Sequence, residues 1–85
     1  MSGKEVIPPF SVEAQSVRIG TYRHYGGGMY QVIALGREES DLSEVVIYQS
    51  IAEPEKTWVR PVKDFVSMVE KDGALMPRFL YCGDV

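Results

Sequence analysis

The sequence GTYRHYGGGMYQVIALG, residues 20–36, holds two β-patterned runs on either side of three consecutive glycines. Aromatic and basic residues alternate through the first run, and a period of two rich in tyrosine marks a half-buried strand, placed at Arg18 to Tyr25. Gly26, Gly27 and Gly28 accept positive φ without a Cβ penalty, so they turn the chain. Met29 to Gly36 resumes the β pattern, and the pair forms a hairpin. Working outward, REESDLSE at 37–44 has acids at Glu38, Glu39, Asp41 and Glu44 with no apolar period, and reads as a solvated loop. VVIYQSI at 45–51 is strongly β-branched and is closed by AEPEK, whose proline and charges mark a turn. TWVRP is a short strand ended by Pro61, followed by a helical turn over 62–65 in which Val62 and Phe65 share a face. Asp72-Gly73 signals a tight hairpin between SMVEK and ALMPRFLY. The expected fold is mostly β: a small antiparallel SH3-like barrel over residues 17–85, with one short helical turn. Residues 1–16, with Pro8 and Pro9, are expected to form an extended N-terminal arm.

Composition narrows the function classes. With 85 residues, 45% hydrophobic and 25% charged, the chain has the make-up of one ordinary soluble domain. A chain of this size buries only about 60% of its unfolded surface, which leaves no room for a deep enclosed active site. The longest apolar run, Met29 to Leu35, includes Gln31 and is far shorter than the roughly 20 residues of a membrane helix. The start, MSGKEVIPPF, lacks an apolar signal region, so a cytoplasmic location and no membrane partner are expected. Cys82 is the single cysteine and His24 the single histidine, too few for a structural zinc site or an internal disulfide; no metal and no cofactor are expected.

The blocks GTYRHYGGGMYQV, VVIYQS, TWVRPVKDF and DGALMPRF, in that order and spacing, resemble a family of small bacterial domains of unknown function with YRHY, WVRP and PRF signatures. The resemblance spans Gly20 to Phe79. It implies a compact, mostly β domain in a bacterial cytosol and brings no catalytic residue, substrate or activity with it. Gln49 stands where the family pattern has an arginine after the tyrosine of VVIYQS.

The candidate site is the set Tyr22, Arg23, His24, Tyr25, Trp58, Arg60 and Arg78. Residues two apart on a strand share a face, so Tyr22 lies with His24, Arg23 with Tyr25, and Trp58 with Arg60. Arginine grips carboxylate or phosphate bidentately and stacks on rings, a combination suited to a nucleotide, a short single-stranded nucleic acid or an acidic peptide. The same aromatics also suit a small core, and Trp58 is expected to be mostly buried there. Arg60 and Arg78 equally suit a structural role, paired with Asp64 or Glu70, whereas at least one of Arg23 and Arg60 is expected to face ligand. The overall negative charge disfavours a nonspecific nucleic-acid binder. A Cys82–His24 nucleophile pair lacks any recognisable orienting group. The expectation is a non-catalytic binding module for an anionic ligand. The alternatives are protein interaction through an exposed β-edge or the arm, and a small enzyme using His24.

Overall fold

The computed structural model describes residues 6–83. Its elements are α1 (Val12–Gln15), β1 (Gly20–His24), β2 (Met29–Arg37), β3 (Glu44–Ser50), β4 (Thr57–Pro61), α2 (Val62–Phe65), β5 (Met68–Lys71), β6 (Ala74–Pro77) and β7 (Phe79–Gly83). Five strands form one antiparallel sheet in the order β4-β3-β2-β1-β7, and β5 pairs with β6 in a separate hairpin. The chain is therefore mostly β and antiparallel. No pairing joins β4 to β7 among the described residues, so the expected closed barrel is not what the sheet shows.

Alternation builds the core. Tyr22 on β1, Val32 on β2, Val46 and Tyr48 on β3 and Phe79 on β7 are buried, and α2 adds Val62 and Phe65. The register shifts between Val32 and Ala34 opposite β3 and between Thr21 and Tyr22 opposite β7, an irregularity that locally bends a strand and increases its twist. Phe65 lies parallel to Phe79 with ring centroids 4.2 Å apart, and Tyr22 and Tyr48 meet Phe65 edge-on at 5.2 and 5.6 Å. Such edge-to-face contacts set the negative ring face against the positive ring edge and fix each ring's orientation. At the β5–β6 turn Asp72 and Gly73 both have positive φ, 55° and 81°, the mirror-image turn that matches the twist of a two-residue hairpin.

The arm is not extended throughout. Residues 1–5 of the expected arm lie outside the described residues, but Val12–Gln15 make a helical turn. Ser11 caps it, accepting a hydrogen bond from the Ala14 N–H at 3.1 Å, while its own N–H and hydroxyl donate to the Glu44 carboxylate, both at 2.6 Å. This cap lets Ala14 and Val17 reach the core, where both are buried. Prolines 8 and 9 restrain the chain only up to that point.

A ring-lined cleft around Arg60

An open cleft of about 500 Å³ lies on the inner side of the sheet beneath β4. His24 from β1, Tyr30 from β2, Tyr48 from β3, Trp58 from β4 and Phe79 from β7 contribute rings to it, and Arg60 and Asp64 contribute charge. The strand register explains the assembly: Tyr48 pairs with Trp58, and His24 with Phe79, so side chains of the same parity converge from five strands. Most of these rings are already packed on one another. Tyr30 meets Tyr48 and Phe79, Tyr48 meets Phe79, and His24 meets Phe79, all edge-on with ring centroids 4.9–5.9 Å apart. Trp58 is in none of these ring pairs and is 48% exposed.

Arg60 is held in place from two sides. Its Nε donates to the Tyr48 hydroxyl at 3.1 Å, and its Nη1 is bonded and ion-paired to the Asp64 carboxylate one helical turn on. Its guanidinium carbon lies 5.7 Å from the Phe79 ring centroid. The Tyr48 hydrogen bond, ahead of the Asp64 contact, pushes its pKa up, so the group stays charged. Asp64 also faces Arg78, whose Nε lies 3.8 Å from the carboxylate and donates to Ser67 Oγ at 2.9 Å. The two arginines thus share one carboxylate, and the local balance is positive. A guanidinium already fixed by two partners loses little freedom on meeting a further acceptor, and its Nη2 edge has no partner among the described residues.

His24 stands at the edge of this positive group. Burial, then the Arg60 and Arg78 charges, lower its pKa, so the neutral ring is favoured. Its Nδ1 accepts the Gly26 N–H at 3.0 Å, which places the proton of the neutral ring on Nε2. It therefore donates from one nitrogen, and among the described residues no carboxylate bonds to it. Cys82 is exposed, donates to the Leu80 carbonyl and alternates with Phe79 and Tyr81 along β7, so it does not line the cleft.

The expected site residues fall into three places. His24, Trp58 and Arg60 meet in the cleft, with Arg78 behind Asp64. Arg23 and Tyr25 line a second cleft of about 520 Å³ with Lys71, Asp72 and the glycine turn, and His24 borders both clefts. Tyr22 is buried, and its hydroxyl donates to the Arg18 carbonyl at 3.0 Å and accepts the Arg18 N–H at 2.8 Å, so it is a core residue. The burial of Trp58 is corrected: β4 is the terminal strand of the sheet, and Tyr22, Tyr48, Phe65 and Phe79 already fill the interior. Tyr30, Tyr48 and Phe79 were missed as site residues. Their signal lay in strand parity, since Tyr30 shares a strand face with Val32, and Tyr48 with Val46.

The family model described as "Protein of unknown function (DUF1653)" matches residues 20–81. The crystal structure of a protein of that family from Bordetella bronchiseptica is similar, with a TM-score of 0.78 and 30% sequence identity, covering 85% of this chain and 95% of that one. No functionally curated protein matches.

Proposed function

The chain belongs to the DUF1653 family, described as of unknown function, and we propose that it is a non-catalytic binding module for a ligand that carries an anionic group. The observation behind this is Arg60: a charged guanidinium fixed by Tyr48 and Asp64, with its Nη2 edge unpartnered among the described residues, in a cleft walled by rings. Its place beside Phe79 also tells against a cationic ligand, because the cation site of that ring is taken by the protein's own arginine. Nucleotides, short single strands and acidic peptides share the required chemistry. We read the strand order, with a helical turn leading out of β4, as an SH3-like barrel opened between β4 and β7, and the setting as a bacterial cytoplasm.

A second reading, protein interaction through a β-edge, is supported by β4, where Trp58 and Val59 are 48% and 61% exposed at the end of the sheet. The enzyme alternative has less behind it, since no carboxylate among the described residues orients His24. The test is titration of nucleoside monophosphates, oligonucleotides and acidic peptides, followed by the fluorescence of Trp58, the only tryptophan. Binding of at least one of them is expected, weakened at least tenfold in a folded Arg60→Gln variant. A parent that binds none, or a variant that binds as well as the parent, contradicts the proposal.

A further inference from the structure

The open edge of β4 and the Arg60 cleft are two parts of one surface. In the β3–β4 ladder the Ser50 N–H donates to the Lys56 carbonyl at 3.0 Å, and the register runs on through Gln49–Thr57, Tyr48–Trp58, Ile47–Val59, Val46–Arg60 and Val45–Pro61. Antiparallel pairs alternate between hydrogen-bonded and non-hydrogen-bonded. Trp58 and Arg60 therefore spend their backbone groups on β3, whereas those of Thr57 and Val59 point away from the sheet, and Pro61 serves as the N-cap of α2. Proline at position 61 fits this parity, since an N–H there would have no ladder partner. Among the described residues nothing bonds to this outer row. Edge strands are commonly protected by charge, a bulge or a covering segment. This one presents an exposed valine and tryptophan instead.

Resting on the anion reading above, we propose that the ligand is an extended acidic peptide that adds a strand to β4. Its backbone bonds to Thr57 and Val59, and a carboxylate side chain enters the cleft at Arg60. The residues opposite Trp58 and Arg60 then occupy non-hydrogen-bonded pairs, in which side chains approach most closely. Period two gives the ligand pattern: a carboxylate opposite Arg60, an apolar side chain opposite Trp58 two residues away, and a β-branched residue between them opposite Val59. The charge is complementary, with Arg60 and Arg78 against Asp64 alone. Three observations favour a peptide over a nucleic acid. A formal net charge of -3 opposes a polyanionic strand more than a peptide that carries one carboxylate. The cleft's other rings are engaged in edge-on contacts with one another, and Trp58 alone of them stands outside that cluster. The free backbone row has no use to a nucleotide.

The experiment is titration of end-capped Thr-Glu-Val-Leu-Thr, of its reversed sequence and of the Gln counterpart of each, against the parent and Val59→Pro. At position 59 proline removes an N–H that the β3–β4 ladder does not use while fixing φ there, and a thermal melt checks that the variant is folded. One peptide direction is expected to bind, the Gln counterpart at least tenfold more weakly, and Val59→Pro at least tenfold more weakly than the parent. A thymidine monophosphate or oligothymidylate arm is expected to show no dependence on Val59→Pro. Equal affinity of the Glu and Gln peptides, or undiminished peptide binding by folded Val59→Pro, overturns strand addition. If Arg60-dependent nucleotide binding is found with no peptide binding, strand addition falls while the anion reading stands.

Discussion

Trp58 and Arg60 sit two residues apart on the same strand and are opposite in consequence. Trp58 is half exposed, so its removal forfeits only part of the burial energy of a large aromatic. Trp58→Ala is expected to lower stability by about 1 kcal/mol in urea unfolding, while weakening ligand binding; a loss of about 3–5 kcal/mol would mean the ring is a core residue after all. At His24 the linkage runs through a lowered pKa. The unfolded chain takes up a proton near the ordinary value of 6.5, whereas the folded chain takes it up only at lower pH. The stabilisation from a neutral His24 is thus fully present above 6.5 and is lost as pH falls below it through the folded value. A series of melting temperatures from pH 8 to 5, roughly the span over which histidine titrates, should decline at the acid end, and less steeply in His24→Gln.

Among the elements, α2 bears most weight for its length. Its four residues place Phe65, 2% exposed, against Phe79, the ring that also backs Arg60. Phe65→Ala is expected to cost about 3–5 kcal/mol, comparable with the whole stability of a domain of this size, roughly 4–13 kcal/mol, and to broaden or abolish the thermal transition. The α1 cap is a smaller test: Ser11→Ala should cost about 1 kcal/mol in denaturant unfolding. The Glu44 carboxyl, held below its ordinary value chiefly by the Ser11 hydroxyl, should titrate at higher pH in that variant.

Elements with strong local signals were legible in the sequence. The 62–65 turn and the hairpin around Asp72-Gly73 stand where expected, because proline, glycine and helical spacing act over a few residues. The first strand begins at Gly20 rather than Arg18. The turn at Val12–Gln15 was not legible, since its cap depends on Glu44, which is 33 residues away from Ser11. The exposure of Trp58 was hidden for the same reason: strand order, not strand pattern, puts β4 at the edge. Asp64 as the partner of Arg60 was accessible, being one helical turn distant.

At the scale of the whole molecule, net charge and site charge have opposite signs. The acidic stretch from Glu38 to Glu44 joins β2 to β3 at the sheet end away from the β1–β2 turn, and Glu53 is neutralised by Lys56 at 2.7 Å. The cleft keeps Arg60 and Arg78 against a single carboxylate. Anion binding there should weaken as salt rises from low ionic strength toward a Debye length of about 8 Å, an effect read by repeating one titration at several salt concentrations. The most direct measurement is a ¹H–¹⁵N NMR titration with a Glu-bearing peptide, monitoring the Arg60 Nε–H and the Trp58 indole N–H together. Both resonances are predicted to shift along one saturating curve, with the Gln peptide producing much smaller shifts. If both stay in place at saturating peptide, or move identically with Glu and Gln peptides, Arg60 does not receive an anion.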